Sequence, residues 1–516
     1  MVPNKKISFF IYLIVGFAIY AFSFNNEFLL DDESQILNNH VVHDLTKWPT
    51  QFTSSTMADG SAVGGIYYKP IMMITYSVIW SLGQPNPFLF HVFQLLLHII
   101  NSFFVFLIFT WLFKNSKKEF SFLAGLLFLV HPINSEAVLF IADMQEPLYT
   151  FFGLAALLIL SRFHSKKSVI LVGLFLLCSL LSKESGILYV IASANFVLIF
   201  RKKQFPGFLI SAVAAVSIYL TLRFGLAGLH SVLAHDMQIA RADLSTRWLT
   251  MPKVLIHYIH LFFYPSKIAL TQDWVVNSAT LEDFWIPLCE VFIIICLISF
   301  FIFRKKDKIF IFFAIWFLAG WGLHSQFVPL DGTVSDRWFY FTFIGLIGMI
   351  LSLFKYQFSK ILLLASLIIV LILGYRTYLR SFDWRNPATL YQKDLLVDPN
   401  SFYMNNNLGL GYFAAGKYAE AIPYFEKTIS VSASNSRAKY TAQTNLGAAY
   451  YFMGNFPKAE SVLREVIISG DIKAYRALSG ALVNQGKITE ANKLIAEALE
   501  KFPNDSVLLK LKALNP

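Results

Sequence analysis

A series of long apolar segments most restricts the fold of this chain of 516 residues. Inside a lipid bilayer, backbone N–H and C=O groups must bond within the chain, so each such segment crosses as a helix. A hydrophobic fraction of 56% and a charged fraction of 15% exclude an ordinary soluble domain. Windows long enough to cross roughly 30 Å of hydrocarbon predict about eleven spans. They lie near 7–24, 88–113, 119–135, 146–161, 168–182, 186–200, 205–222, 284–303, 309–323, 338–354 and 361–378.

Lysine and arginine collect in alternate connecting segments, and this pattern predicts the orientation of the spans. Short loops rich in these residues stay cytoplasmic. The basic residues are Lys5, Lys6, Lys114, Lys117, Lys118, Arg162, Lys166, Lys167, Arg201, Lys202, Lys203, Arg304, Lys305, Lys306, Lys308, Lys355 and Lys360. We therefore predict a cytoplasmic N-terminus, external loops at 25–87 and 223–283, and an external C-terminal segment. The net charge of +11 then reflects topology, and we predict no nucleic-acid partner.

Two further features bear on the membrane domain. Residues 66–82 look like another span but would break the alternation, so we predict a helix that begins at Pro70 and lies along the external membrane face. Abundant Phe, Ile, Asn and Lys favours an AT-rich genome, and with it a bacterial inner membrane over the endoplasmic reticulum. The domain boundaries predicted are 1–380 for the membrane domain, 381–401 for a linker and 402–516 for a C-terminal domain.

The C-terminal domain repeats at about 34 residues, which is the period of tetratricopeptide repeats. The first unit has Leu408, Gly409, Tyr412, Gly416, Ala421 and Phe425, and the second has Leu446, Gly447, Tyr450, Gly454, Ala459 and Leu463. A third has Leu478, Leu482, Gly486, Ala491, Ile495, Ala498 and Pro503. Small and large residues at these positions let paired helices stack into an α-solenoid with a concave face. These residues themselves serve packing, and the concave face is the expected site for a peptide or a partner domain.

Acidic and basic side chains collect in the segments that are predicted to be external. They are Asp31 and Asp32 after the first span; His131, Glu136, Asp143 and Glu146 after the third; Lys183 and Glu184 after the fifth; Arg223 after the seventh; and Asp336 and Arg337 before the tenth. A helix over 134–146 would place its three acids on one face. A carboxylate can accept a proton from a hydroxyl, while Arg or Lys can hold a phosphate leaving group. The pattern predicts a site where a lipid-borne phosphate meets a water-side acceptor.

Each of these groups also has a structural alternative. Asp31 and Asp32 could be solvated acids at a helix end, and His131 could cap a helix boundary next to Pro132. Glu136, Asp143 and Glu146 could form an exposed helix face, Lys183 and Glu184 a local ion pair, and Arg337 an interfacial anchor. Cys178, Cys289 and Cys296 lie in apolar runs, and no nucleotide-binding or metalloprotease motif occurs in a supporting context. The residues give no complete metal-ligand set, so we predict no cofactor and leave a divalent cation open.

The ordered motifs resemble the GT-C superfamily of polytopic glycosyltransferases, and most closely the transmembrane and tetratricopeptide-repeat-containing protein O-mannosyltransferases. The matching stretches are LLDDESQILNN, YYKPIMMITYSVIWSLGQPNPFLFHVFQLLLHIIN, HPINSEAVLFIAD, LLSKESGI, YIHLFFYPSKIALTQDW, VSDRWFYFTFIGL and NNLGLGYFAAGKYAEAIPYFEKTI. Their order covers nearly the whole chain. Two departures are IADMQEP, where the family has a basic residue beside the acid, and Lys69, where Arg is common.

The resemblance implies a catalytic Asp31–Asp32 pair and a polyprenyl-phosphate-linked sugar as donor. It implies that Arg337, Lys69, Lys183 and His131 bind the donor phosphate or sugar, with Glu136, Asp143, Glu146, Glu184 and Asp336 as supporting acids. We therefore predict transfer of a sugar, with mannose expected, to an external acceptor, namely a protein hydroxyl. The alternative is a non-catalytic membrane scaffold that recruits proteins through its repeats. A transporter is disfavoured because few ionisable groups lie near mid-span.

Overall fold

The protein was analysed as a computed structural model, which describes residues 4–56, 67–114, 118–163, 165–230, 238–270, 272–330, 332–354, 359–432 and 437–514. The basic residues Lys117 and Lys355, and Ile66 at the start of the predicted interfacial segment, lie outside these ranges. The chain forms two compact units, and the division falls between Asn386 and Pro387. That point lies within the predicted linker, whose residues Pro387–Leu395 are helical.

The first unit is a helical bundle. Its helices are α1 (Lys5–Tyr20), α2 (Pro70–Gly83), α3 (Pro87–Leu112), α4 (Lys118–Val130), α5 (Glu136–Leu139), α6 (Gln145–Arg162), α7 (Lys166–Ser182), α8 (Ile187–Phe200), α9 (Phe205–Leu220), α11 (Leu244–Phe263), α12 (Ile286–Lys305), α13 (Lys308–Leu323), α14 (Phe339–Phe354) and α15 (Lys360–Asp383). Side chains that accept from backbone N–H groups begin several of them, among them Asn4, Asn86 and Asp307.

All eleven predicted spans are helical, and the prediction of a polytopic helical bundle is confirmed. Seven helical segments in the described ranges are long and apolar enough to cross a membrane: Lys5–Asn25, Pro87–Leu112, Ile141–Arg162, Lys202–Leu226, Leu281–Lys305, Asp336–Phe354 and Lys360–Asp383. The other four predicted spans correspond to α4, α7, α8 and α13, which have 13, 17, 14 and 16 residues. The protein is therefore a multi-pass membrane protein with spans of unequal length.

Proline sets two helix ends near the candidate site. The predicted span 119–135 ends early, at Val130, because Pro132 disfavours helical geometry at His131. Helix α2 begins at Pro70, as predicted, because its ring fixes φ and the first helical position needs no N–H donor. Both prolines therefore help to determine where the candidate site's loops leave the bundle.

Close helix contact in the bundle depends on glycine. A Cβ atom at Gly345 of α14 would lie 2.5 Å from the backbone nitrogen of Phe317 in α13, and one at Gly348 would lie 2.3 Å from the Phe313 ring. Small residues allow membrane helices to approach closely and gain packing energy. Helices α13 and α14 therefore form a tight pair, and Arg337 lies in the 3-10 turn Asp336–Trp338 directly before α14.

The second unit is an α-solenoid of helix pairs, and the predicted repeats are confirmed. The pairs are α17 (Phe402–Ala414) with α18 (Tyr418–Val431), α19 (Arg437–Phe452) with α20 (Phe456–Val466), and α21 (Ile472–Asn484) with α22 (Ile488–Lys501), with α16 (Pro387–Leu395) before them and α23 (Ser506–Leu514) after them. The ring of Phe425 lies 2.7 Å from a Cβ built at Gly409, so this signature glycine is required by contact. In the turns within the pairs, Gly416, Gly454 and Gly486 have φ between +73° and +76°, a left-handed conformation that favours glycine.

Two short segments of the loop 223–283 belong to this second unit, which the sequence did not predict. One contains α10 (Gln238–Arg241), where the Gln238 amide donates to the Val431 carbonyl at 3.0 Å. The other is Gln272–Trp274. The repeat unit is therefore assembled from three stretches of chain.

Gly345→Ala is expected to destabilise the membrane unit by about 1–3 kcal/mol, because the added methyl group meets backbone in α13 rather than a movable side chain. Thermal unfolding in detergent measures this change. Gly322→Ala is the matched control, since Gly322 lies on an exposed face of α13 with nothing within 4 Å of its Cβ position. Equal melting temperatures for the two variants would contradict the tight α13–α14 contact.

Candidate active site

The Asp31–Asp32 pair lies in a tight turn directly after the first span. Asp32 is buried, and its carboxylate accepts from the backbone N–H of Leu29 at 2.8 Å and of Ala142 at 2.7 Å. Leu30 has φ of 50°, a left-handed conformation that is uncommon outside glycine and marks local strain. Asp31 is only partly buried. The turn therefore separates the two neighbours: Asp32 holds two loops together, and Asp31 lies nearer solvent.

Burial raises the pKa of the Asp32 carboxyl well above its usual range, although the two backbone N–H groups oppose this. The charges of Asp31 and Asp143 raise this pKa further, which shows that the three carboxyls lie within electrostatic reach of one another. Tyr76 of α2 fixes the same region by donating to the Ile141 carbonyl at 2.8 Å. The loop between α1 and α3 and the segment after α4 are thus joined at Ile141–Ala142.

Arg337 is bound by two buried carboxylates. Its Nη1 donates to Glu136 Oε1 at 2.7 Å and to Asp143 Oδ2 at 3.2 Å, and its backbone N–H donates to Glu136 Oε2 at 2.9 Å. The Arg337 side chain is 19% exposed, against 2% and 3% for the two acids. Burial raises the pKa of Glu136 while the Arg337 charge opposes the rise and the Asp336 charge adds to it. The guanidinium is therefore held in one orientation at the edge of a buried acidic cluster.

Three neutral residues that the sequence did not single out support this cluster. Ser335 Oγ lies 2.9 Å from Glu136 Oε1 and 3.0 Å from the Leu270 carbonyl. Tyr258 of α11 donates its hydroxyl to the Ser335 carbonyl at 3.2 Å and is buried. Gln94 of α3 supports α5 by donating to the carbonyls of Ala137 and Phe140, at 2.8 and 2.7 Å. Neutral residues of this kind carry no charge pattern that sequence reasoning could detect.

The expectation of one helix over 134–146 is wrong. Helix α5 ends at Leu139, Phe140 is extended with ψ of 115°, and a 3-10 turn over Ile141–Asp143 precedes α6. Glu136, Asp143 and Glu146 therefore do not share a helix face. With the helix interrupted at Phe140, Glu136 and Asp143 both bind the Arg337 guanidinium, while Glu146 binds a different cation.

That second cation is Lys183, whose Nζ forms an ion pair with Glu146 Oε1. Glu146 is fully buried, and its Oε2 has no hydrogen-bond partner among the described residues. Lys183 therefore pairs across loops with Glu146 rather than with its neighbour Glu184. Its ammonium also lies 5.8 Å from the centre of the Tyr149 ring.

Glu184 belongs to a neighbouring cluster. It accepts from Arg223 Nη1 at 2.7 Å and from the Tyr68 N–H at 3.4 Å. Lys69 follows directly, buried, with Nζ 4.3 Å from the centre of the Tyr67 ring. This cluster joins the start of α2 to the ends of α7 and α9.

The remaining two predicted residues have different surroundings. Asp336 is buried beside Glu136. Both ring nitrogens of His131 are engaged: Nδ1 accepts from the Ile133 N–H at 3.2 Å, and Nε2 lies 2.9 Å from the Phe262 carbonyl. His131 thus caps the turn after α4, which is the structural alternative for this residue.

The loops that carry these residues converge at one end of the bundle. Asp32 binds Ala142, Arg337 binds Asp143, Lys183 binds Glu146, and Arg223 binds Glu184. No group of three or more His, Cys, Asp or Glu side chains in the described ranges is arranged to hold a metal ion. The site combines carboxyls of raised pKa with two fixed cations, which suits proton transfer beside a phosphate.

Comparison with known proteins gives two findings. A tetratricopeptide repeat family model matches residues 401–467. The chain is 24% identical to the human protein O-mannosyl-transferase TMTC3 over 95% of its length, to the Caenorhabditis elegans protein O-mannosyl-transferase F38B6.6 over 76%, and to the human protein O-mannosyl-transferase TMTC1 over 83%. It spans 60%, 58% and 55% of those three relatives. Over most of its length, the chain is therefore similar to the TMTC protein O-mannosyl-transferases, and its C-terminal part carries tetratricopeptide repeats.

Proposed function

We propose that the protein is a membrane glycosyltransferase that moves a sugar from a polyprenyl-phosphate donor to a hydroxyl group of an acceptor protein. Mannose and a protein acceptor are taken from the names of the relatives, which are protein O-mannosyl-transferases. The predicted topology would place the reaction on the external side of the membrane. The repeats, in this proposal, hold the acceptor.

The proposal rests on one observation: the Asp31–Asp32 turn and Arg337 form hydrogen bonds to two adjacent residues. Asp32 binds the Ala142 N–H, and Arg337 binds the Asp143 carboxylate. Neighbouring Cα atoms lie only about 3.8 Å apart across a trans peptide. The turn that carries the candidate base and the candidate phosphate-binding cation are therefore fixed to one short segment of chain.

In the proposed reaction, Asp31 accepts the proton of the acceptor hydroxyl as its oxygen attacks the anomeric carbon. The bond from that carbon to the phosphate oxygen breaks, and the polyprenyl phosphate leaves with the bonding electrons. Arg337 and Lys183 neutralise the charge that grows on the phosphate. Asp31 is assigned the proton transfer because Asp32 already accepts two backbone N–H groups and is buried.

The assignment predicts different results for the two neighbouring aspartates. Asp31→Asn is expected to lower sugar transfer at least about 100-fold, with unfolding free energy changed by less than about 0.5 kcal/mol. Asp32→Asn is expected to destabilise the fold by about 1–3 kcal/mol, because the two N–H groups bind different carboxylate oxygens and the NH2 group of Asn would face one of these donors. Transfer to an acceptor peptide and thermal unfolding measure the two effects. Full activity of Asp31→Asn would contradict the proposed base.

A second prediction separates the structural and functional roles of Lys183. Lys183→Met alone leaves Glu146 as an unpaired buried charge, which is expected to cost about 3–5 kcal/mol of stability. The double variant Lys183→Met/Glu146→Gln removes both charges and is expected to recover most of that loss. It should still raise KM for the lipid-phosphate donor at least about tenfold, through loss of a charge-assisted contact. A stable double variant with unchanged donor KM would show that Lys183 only stabilises the fold.

A further inference from the structure

Helix α11 lies across the end of the bundle that carries the candidate site. Trp321, in the last turn of α13, donates its indole N–H to the Leu255 carbonyl at 2.9 Å. Tyr258 binds Ser335 before α14, and the carbonyl of Phe262 lies 2.9 Å from His131, just after α4. These partners all lie within a few residues of a helix end. These contacts with the ends of α13, α14 and α4 place α11 across the end of the bundle.

The first half of α11 presents large apolar side chains outward. Leu244 is 53% exposed and Trp248 is 54% exposed. Next to them lie Phe327 and Val328, at 60% and 57% exposure, which follow α13 by four and five residues. The Trp248 and Phe327 rings lie 6.4 Å apart, and Arg247 Nη1 donates to the Phe327 carbonyl at 2.9 Å. We call these four apolar residues the α11 patch.

Hydrogen bonds within the chain fix the backbone next to Phe327 and Val328, the two patch residues that follow α13. Gln326 is fully buried with φ of 65°, and its side-chain amide donates to the carbonyls of Gly332 and Thr333, each at 2.8 Å. Its side-chain oxygen accepts from the Leu330 N–H at 3.0 Å. The outward position of Phe327 and Val328 is thus fixed by a buried amide.

The charges on α11 favour a membrane surface as the partner that covers the α11 patch. Between Leu244 and Phe263 the helix has no acidic residue, whereas it carries Arg247 and Lys253, and exposed Lys267 follows it. Lys253 also pairs with Asp283 at 2.8 Å, next to the start of α12. Basic amphipathic helices with Trp and Phe on their apolar side are typical of the membrane interface. Tryptophan and arginine together suit the boundary between headgroups and acyl chains.

The position of the patch favours the same occupant. Ile315, Leu318 and Leu323 are exposed apolar residues along α13, at 39%, 37% and 39%. This exposed stripe of a bundle helix leads directly to Phe327. The patch therefore continues the surface that the bundle offers to lipid.

We propose that the α11 patch is a lipid-binding surface that inserts into the headgroup and acyl-chain boundary of the leaflet on the site side. Arg247 lies at the level of the lipid phosphates. The helix then lies in the membrane plane, and Tyr258 on its buried face connects it to Ser335 and the Arg337 cluster. This role goes beyond sugar transfer and holds whether or not the proposed reaction occurs.

The test uses spin labels on the full chain in lipid nanodiscs, with Cys178, Cys289 and Cys296 replaced by Ala. Single labels at Trp248→Cys and Phe327→Cys report collision with oxygen, which concentrates in lipid, or with a water-soluble nickel complex. Exposed Ser278→Cys is the water reference, and Phe300→Cys, 57% exposed on α12, is the lipid reference. We expect both patch labels to resemble position 300, with oxygen collision several-fold above that at position 278.

Nickel collision at the patch labels equal to that at position 278 would overturn the proposal. Protection from both reagents would also overturn it, because the patch would then be covered by protein, such as a second copy of the chain. A second measurement avoids the cysteine-free background. Brominated lipids should quench less fluorescence in Trp248→Phe than in the unaltered protein, and equal quenching would count against the lipid contact.

Discussion

The candidate site depends on one guanidinium shared between two buried carboxylates. Arg337, in the turn before α14, binds α5 through Glu136 and the turn before α6 through Asp143. Removing such charges from water costs several kcal/mol per ion, so the arrangement persists only where hydrogen bonds satisfy the remaining atoms. Ser335 Oγ and the Arg337 N–H supply such bonds to Glu136, and Tyr258 of α11 holds Ser335 through its backbone carbonyl. This cluster also helps to position the turn that carries Asp31 and Asp32, because Asp32 accepts from the N–H of Ala142, the residue next to Asp143.

The sequence predicted the helices and the convergence of the loops because both follow from simple physical requirements. Apolar length requires helices in lipid, and the alternation of basic loops assigned the acids to one side before any contact was known. The repeat positions were equally predictable, since Gly409 and Gly447 are required by close contact with Phe425 and Leu463. Which side of the membrane carries the site stays a prediction.

The finer geometry could not be predicted, for identifiable reasons. Asp31 and Asp32 are chemically alike, and the difference in their burial arises from the local backbone, with Leu30 left-handed and Asp32 bound to two backbone N–H groups. The acids after α4 looked helical by spacing, whereas the extended Phe140 interrupts the helix. Histidine is a residue type that often binds ligands, but both ring nitrogens of His131 are engaged by backbone groups of the protein. Ser335 and Tyr258 were missed because neutral hydroxyl groups carry no recognisable pattern.

The central claim is that a lipid-linked sugar phosphate binds between the Asp31–Asp32 turn and Arg337. An experimental structure of the full chain with a polyprenyl-phosphate sugar in a lipid nanodisc tests it most directly. The account predicts phosphate density within hydrogen-bond distance of the Arg337 guanidinium and the anomeric carbon on the side of the Asp31 carboxylate. Phosphate density away from Arg337, or a sugar that faces away from Asp31, would contradict the account.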